Sequence, residues 1–188
     1  MLDAEFDVAL GEDIRLDHGF GQTFVQLFGS LDAIQCLPIV INCARPPLAS
    51  VSRVIDVGSA VGRFVNNLGT RALYIGSGGL SHQPPSMKAQ NTQLSELERE
   101  AIARQTVADA AQHVNPAWDN DFSVALTNSD WAQLRAITDQ SLDVVGTGTH
   151  EIRTWLAAWA AAAANRGDFL YEPVPEWITG MAVATGSR

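Results

Sequence analysis

An apolar segment that ends in a run of glycines constrains this chain more than any other feature. Residues 72–75 have the composition of a buried strand, and the glycine-rich run 76–79 follows directly, shortly before His82. Glycine permits sharp turns and a close approach of the backbone to other groups, and the prolines at 84–85 exclude a helix immediately afterwards. Because an imidazole titrates near neutral pH, the sequence predicts that this loop presents His82 for chemistry.

A nucleotide-binding loop is the alternative interpretation of the same glycines. Residues 76–81 resemble a degenerate G-x-G-x-x-G motif, in which the phosphate lies on the first amides of an immediately following helix. The two prolines postpone that helix, and no lysine of the P-loop type follows the glycines. Catalysis at His82 is therefore the favoured interpretation, with nucleotide binding as the weaker one.

Composition excludes several classes of protein. The chain has 188 residues, of which 46% are apolar and 18% are charged, so we expect one globular α/β domain over residues 1–188. A formal net charge of -9 argues against nucleic acid as a partner. No apolar run is long enough to span a bilayer, and the first residues are acidic, unlike a signal peptide. We therefore expect a cytoplasmic protein with no membrane partner.

The order of elements predicts the fold class. Residues 35–42 are apolar and β-branched and predict a buried strand, residues 47–67 have helical spacing of their apolar positions, and residues 71–75 predict a second strand. A strand, a crossover helix and a strand form a βαβ unit, which predicts a mostly parallel sheet flanked by helices, with a site at the carboxyl ends of the strands. Further helices are predicted over 95–114, 118–128, 130–137 and 149–165.

The last of these helices carries a second candidate group. Glu151 lies in its first turn, after Thr149 as a plausible N-cap, and the helix dipole stabilises a carboxylate there. Such a carboxylate can bind a metal or orient a histidine, although most glutamates at this position only complement the dipole. The alanines that follow indicate close helix packing.

Other ionisable residues have simpler interpretations. His18 stands just before an apolar helix at 24–28, where a histidine is more often a helix-start residue satisfied by Asp17 than a catalytic group. Cys36 and Cys43 bracket an apolar stretch and are typical of small buried side chains, because two thiols without a further Cys/His cluster are no zinc signature.

Six segments of the chain form an ordered set of motifs. They are Leu16-Asp17-His18-Gly19-Phe20, Pro38-Ile39-Val40-Ile41-Asn42, Gly76-Ser77-Gly78-Gly79-Leu80-Ser81-His82-Gln83-Pro84-Pro85, Asn115-Pro116-Ala117-Trp118-Asp119, His150-Glu151-Ile152-Arg153-Thr154-Trp155 and Pro175-Glu176-Trp177-Ile178-Thr179-Gly180. In this order they resemble the class III extradiol ring-cleavage dioxygenases, the superfamily of the protocatechuate 4,5-dioxygenase beta subunit. The resemblance extends over nearly the whole chain from about Asp13.

The resemblance implies an Fe(II) enzyme of aromatic catabolism that opens a catechol ring beside its two hydroxyls with O2. In that family two histidines and one glutamate hold the iron in a facial triad. Glu151 matches the glutamate ligand, His82 matches the base that takes a catechol proton, and His18 matches the acid that later protonates the intermediate. A carboxylate on the substrate is expected to meet Arg153 or Arg45.

The chain departs from the family pattern at the metal. The two histidine ligands of the family lie in an N-terminal third that this sequence does not contain, so we expect the C-terminal two thirds of a dioxygenase, with iron completed from the missing region. A non-catalytic relative that acts as a binding or assembly partner is the alternative. Loss of an interior strand would expose an apolar sheet edge that favours association, which predicts a homo-oligomer.

Overall fold

The computed structural model contains helices and strands along most of its length. It describes residues 6–13, 15–84, 93–142 and 144–188. The acidic residues 1–5 and Pro85, on which two arguments above depend, lie outside these ranges. The α-helices are α1 (His18–Phe28), α2 (Val51–Asn67), α3 (Glu96–Ala111), α4 (Pro116–Thr127), α5 (Trp131–Ser141) and α6 (Ile152–Ala162). Two strands follow, β1 (Arg166–Val174) and β2 (Thr179–Ser187), with short 3-10 helices at Thr147–Glu151 and Pro175–Trp177.

The predicted helices are confirmed to within a few residues, because their ends are encoded locally. Ser50 caps α2 by accepting a hydrogen bond from the Arg53 amide, and Ser95 forms a capping box with Glu98 at the start of α3. Thr149 was wrongly predicted as an N-cap. It lies inside the 3-10 helix that precedes α6, with its hydroxyl bonded to the carbonyl of Val145.

The predicted strands at 35–42 and 71–75 were wrong. Neither segment forms a strand in the described part of the chain, and their apolar side chains are largely exposed, with Leu37 at 82% and Leu73 at 68%. A strand is stable only when a neighbour completes its hydrogen bonds and covers its apolar face, and the described residues supply no such neighbour here. The parallel βαβ core is therefore not confirmed.

The sheet that the described residues form is an antiparallel hairpin of β1 and β2. Its register runs from Arg166 opposite Ser187 to Val174 opposite Thr179. The 3-10 turn at Pro175–Trp177 and a left-handed Ile178 connect the strands. The hairpin was not predicted from the sequence, because prolines lie beside this turn and proline is atypical of strands.

The core lies between α2, α4, α5, α6 and the hairpin. Its largest fully buried apolar side chains are Leu80, Phe122, Leu126, Leu134, Ile152 and Leu156. Helices α2 and α6 approach most closely at Gly62, where an added Cβ would lie 2.1 Å from the carbonyl oxygen of Ala161. The prediction that the alanine-rich segment mediates close helix packing is therefore confirmed. None of the helices in the described ranges combines the length and apolarity needed to cross a membrane.

Candidate active site

The glycine-rich segment packs directly on the start of α6. A Cβ on Gly76 would lie 2.4 Å from the carbonyl oxygen of Thr154, and one on Gly78 would lie 2.7 Å from the Cβ of Glu151. The Thr154 hydroxyl donates to the carbonyl of Ser77 at 2.7 Å, and the Trp155 indole donates to that of Gly78 at 3.0 Å. The glycines therefore allow a backbone contact that any side chain would prevent, and they bring residues 79–82 beside Glu151.

Glu151 ends the 3-10 helix and directly precedes α6. Its Oε2 accepts a hydrogen bond from the Gly79 amide at 2.7 Å, and its side chain is 43% exposed. A charge-assisted bond to a backbone amide fixes the orientation of a carboxylate. Glu151 is thus held toward the glycine loop while part of the carboxylate still faces solvent.

His82 lies opposite this carboxylate, and a hydrogen bond at Nδ1 orients its ring. Its Nδ1 is 2.8 Å from the carbonyl oxygen of Leu80, and its Nε2 is 4.0 Å from Oε2 of Glu151. Because a carbonyl oxygen can only accept a hydrogen bond, the proton of the neutral ring resides on Nδ1 and Nε2 carries the lone pair. The side chain is 14% exposed. The predicted pair of His82 and Glu151 is therefore brought together in the structure.

Two further glycines complete the surroundings of the His82 ring, and the sequence analysis did not identify them. A Cβ on Gly148 would lie 2.1 Å from Nε2 of His82. Gly146 has φ +103° and faces the carbonyl of His82, a backbone conformation that favours glycine. The sequence feature that could have indicated both glycines is the Gly-Thr-Gly-Thr run at 146–149, just before His150 and Glu151. The Nε2 edge of the ring thus packs so closely on Gly148 that a side chain there would clash with it.

His18 occupies a different position from the other two candidates. It is the exposed first residue of α1, and Asp17 caps this helix by accepting from the Gly19 amide rather than from His18. The Thr23 hydroxyl is 3.4 Å from that of Ser77, so α1 lies beside the glycine loop. In the described ranges no hydrogen bond joins His18 to His82 or Glu151.

Arg153 has a structural environment rather than a substrate-facing one. It is 6% exposed, its Nε donates to the carbonyl of Ala49 at 2.9 Å, and its Nη1 contacts Nδ1 and the carbonyl of His150 at 2.6 and 3.2 Å. These bonds hold the start of α2 against α6. Of the two arginines predicted to meet a substrate carboxylate, Arg45 is the exposed one.

The described residues do not form a complete metal site. A facial triad for Fe(II) needs two histidines and a carboxylate, and no cluster of three potential His, Cys, Asp or Glu ligands is found in the part of the chain that the structure describes. Glu151 fits one ligand position of such a triad. We therefore assign no chemical step to a metal here.

Cys43 lies near enough to Glu151 and Arg153 for their charges to act on its thiol. Burial raises the pKa of Cys43 to about 11, with the Arg153 charge opposing and the Glu151 charge adding to that rise. Cys36 is exposed. Since the thiolate is the reactive form, we expect iodoacetamide at pH 8 to alkylate Cys43 at least about 10-fold more slowly than Cys36. Mass spectrometry of timed samples measures both rates, and equal rates would contradict the burial of Cys43.

Comparison with protein families identifies the family to which the chain belongs. Residues 1–182 match the family described as the catalytic LigB subunit of aromatic ring-opening dioxygenase. The match extends over nearly the whole chain, and the chain belongs to this family. The resemblance drawn from the six motifs is thereby confirmed at the family level.

Curated relatives from Klebsiella pneumoniae and Escherichia coli are all named as the same dioxygenase. The chain is 37% identical to the 2,3-dihydroxyphenylpropionate/2,3-dihydroxicinnamic acid 1,2-dioxygenase of Klebsiella pneumoniae strain 342, across 96% of this chain and 66% of that protein. It is 36% identical to the proteins of the same name from Escherichia coli strains SMS-3-5 and K12, across 93% of this chain and 64% of each relative. The chain therefore spans slightly less than two thirds of the length of these relatives.

Proposed function

We propose that this chain carries the proton-transfer groups and one metal ligand of an extradiol dioxygenase that opens a catechol ring with O2. The observation that supports this proposal most strongly is the pairing of His82 and Glu151, 4.0 Å apart, within a chain of the ring-opening dioxygenase family. A base and a carboxylate this close together, 4.0 Å apart, can both contact one small ligand that binds beside them. Nucleotide binding finds no comparable support, because the glycines pack on α6 instead of opening a phosphate site.

His82 is the proposed general base. Its Nε2 lone pair faces the partly exposed carboxylate, and the Nδ1–H bond to Leu80 keeps the ring in this tautomer. When a catechol hydroxyl approaches, its O–H bond breaks, a proton binds Nε2, and the imidazolium is stabilised by the nearby Glu151 charge. His18, exposed at the start of α1, is the proposed acid, which returns a proton to the product.

The proposed cofactor is Fe(II), with Glu151 as its carboxylate ligand and two histidine ligands from outside the described part of this chain. The partial exposure of the Glu151 side chain and the hydrogen bond that its Oε2 accepts from the Gly79 amide suit this role. The relatives are named for 2,3-dihydroxyphenylpropionate, so we propose a catechol with a short carboxylate-bearing side chain as the substrate class. Homo-oligomer formation stays a prediction, to be measured by sedimentation.

A non-catalytic binding or assembly role is the second candidate. It is favoured by one observation, the incomplete set of metal ligands in the described residues. Iron retention separates the two candidates. A dioxygenase needs Glu151 as a metal ligand and is expected to retain iron, whereas a non-catalytic binding protein is not.

Replacing Glu151 by glutamine tests the ligand assignment. Glutamine keeps the shape and an oxygen for the Gly79 amide but removes the charge, so we expect Fe(II) affinity to fall at least about 10-fold. The measurement is chelator competition under anaerobic conditions, on the chain combined with the third of a curated relative that the match leaves uncovered. E100Q is the control, because Glu100 lies on α3 and pairs with Arg104 at 3.5 Å. Equal affinities of the two variants would remove Glu151 from the metal site.

A further inference from the structure

Asp119 is a fully buried ionisable group with three hydrogen bonds, and none of the roles above involves it. It lies in the first turn of α4 and is 0% exposed. Its Oδ1 accepts from the Ser81 amide at 2.7 Å, and its Oδ2 accepts from the Ser81 hydroxyl at 2.7 Å and from the Tyr171 hydroxyl at 2.8 Å. Every one of these partners is a donor, which is the environment of an ionised, acceptor-only carboxylate.

The surroundings of Asp119 shift its pKa in opposite directions. Burial raises the pKa of Asp119 above its usual range and outweighs the hydrogen bonds from Ser81 and Tyr171 and the nearby imidazole of His82, which lower it. Tyr171 responds in the same sense, since burial and the adjacent carboxylate raise its pKa. A buried carboxylate of this kind is retained only where its hydrogen bonds fix something specific. Its two shortest contacts both fix Ser81, one at the backbone amide and one at the side-chain hydroxyl.

Ser81 immediately precedes His82 and is held from two sides. The Asn115 amide donates to its hydroxyl at 2.7 Å, which ties it to the cap of α4. The Gly180 amide donates to its carbonyl at 3.3 Å, and His82 forms an antiparallel bridge with Thr179 at the start of β2. The segment 81–82 thus lies between α4 and the hairpin, and Asp119 on α4 is bonded both to Ser81 and to Tyr171 of β1.

We propose that Asp119 is a positioning residue that fixes the His82 ring through Ser81. This inference rests on the proposed function of His82 as the base. Asp119 forms no hydrogen bond with the ring, so its effect is on where Nε2 points. A displacement of about 1 Å at a reacting group can lower a rate about 100-fold, and it acts on the chemical step more than on substrate binding.

Asp119→Asn tests the proposal, because asparagine keeps the volume and removes the charge that both hydroxyls bond. We expect kcat for ring cleavage to fall at least about 10-fold with KM changed less than about 2-fold, and no further fall when the same change is added to H82Q. D121N is the matched control, since Asp121 lies two positions along α4 and is exposed. A D119N enzyme with the kcat of D121N would overturn the proposal.

A spectroscopic readout separates this proposal from the proposed function itself. The chain has four histidines, so the imidazole 1H–15N correlations can be assigned by single substitutions. We expect D119N to shift the His82 correlations, and its Nδ1–H signal, while those of His113 stay in place. This result in a chain that shows no ring cleavage would support the positioning role and contradict only the function.

Two gentler variants keep the proposal testable if D119N does not fold. Tyr171→Phe removes one donor to the carboxylate, and Ser81→Ala removes another while leaving the amide bond to Oδ1. We expect both to move the His82 signals, S81A by more because it acts next to the ring. Unchanged His82 signals in both folded variants would overturn the proposal.

Discussion

His82→Gln is expected to lower the rate of catechol ring cleavage at least about 100-fold, the low end of what a lost general base removes. Glutamine has a polar amide of similar reach to Nε2 but loses the Nδ1 contact with the Leu80 carbonyl, so folding and iron content are measured together with turnover. It has no lone pair of suitable basicity at the position of Nε2. The measurement is steady-state turnover of 2,3-dihydroxyphenylpropionate with Fe(II), using the chain combined with the uncovered third of a relative.

The control for this prediction is His113→Gln, in the turn that follows α3. His113 lies outside the contacts that surround Glu151, so we expect turnover within about 2-fold of the unsubstituted protein. If H82Q keeps a near-normal rate while its iron content is unchanged, His82 is not the base. The carboxylate of Glu151 would then have to act without it.

Gly62→Ala is expected to produce the largest loss of stability of any single methyl addition considered for this chain. A Cβ at this position would lie 2.1 Å from the carbonyl oxygen of Ala161, so α2 and α6 must move apart along their whole contact. Alanine gains about 1 kcal/mol of helix propensity over glycine, but overpacking against backbone offsets this gain. We expect the free energy of unfolding to fall by about 2 kcal/mol or more.

Gly21→Ala is the matched control for the same chemical change. Gly21 also lies within a helix, α1, but its added Cβ would meet only a side-chain atom of Leu31 at an ordinary 3.8 Å. We expect unchanged or slightly raised stability there. Urea unfolding measures both variants, with the midpoint interpreted only where the m value is constant. A G62A protein as stable as G21A would mean that α2 and α6 are not in backbone contact.

The helices could be predicted from the sequence because the signals for their ends are local. Ser50 and Ser95 are caps that act within one turn, and the apolar spacing of α2 defines its buried face. The segments 35–42 and 71–75 carry an equally clear strand composition and form no strand, because a strand depends on a neighbour that may be distant in the chain. Composition indicates the tendency of a segment to form a strand, but it does not show whether a neighbouring strand is present to pair with it.

The residues of the candidate site also differ in whether a local signal in the sequence marks them. His82 and Glu151 could be found because a glycine run and a helix start each mark a residue locally. Asp119 and Gly148 could not be found in this way, because their roles depend on contacts between distant parts of the chain. Asp119 bonds Ser81, which lies 38 residues earlier, and Gly148 packs on the ring of His82. A buried aspartate in an amphipathic helix has no distinguishing mark until the fold shows what it bonds.

One measurement tests the central claim most directly, that this chain supplies the base, the acid and a carboxylate ligand for catechol ring opening. The chain and the uncovered third of a relative are combined anaerobically with Fe(II), then exposed to O2 and 2,3-dihydroxyphenylpropionate, and the yellow ring-opened product is followed by absorbance. We predict that product forms in the combination and is lost in H82Q. A folded combination that retains iron and binds the catechol, yet yields no product, would contradict the claim.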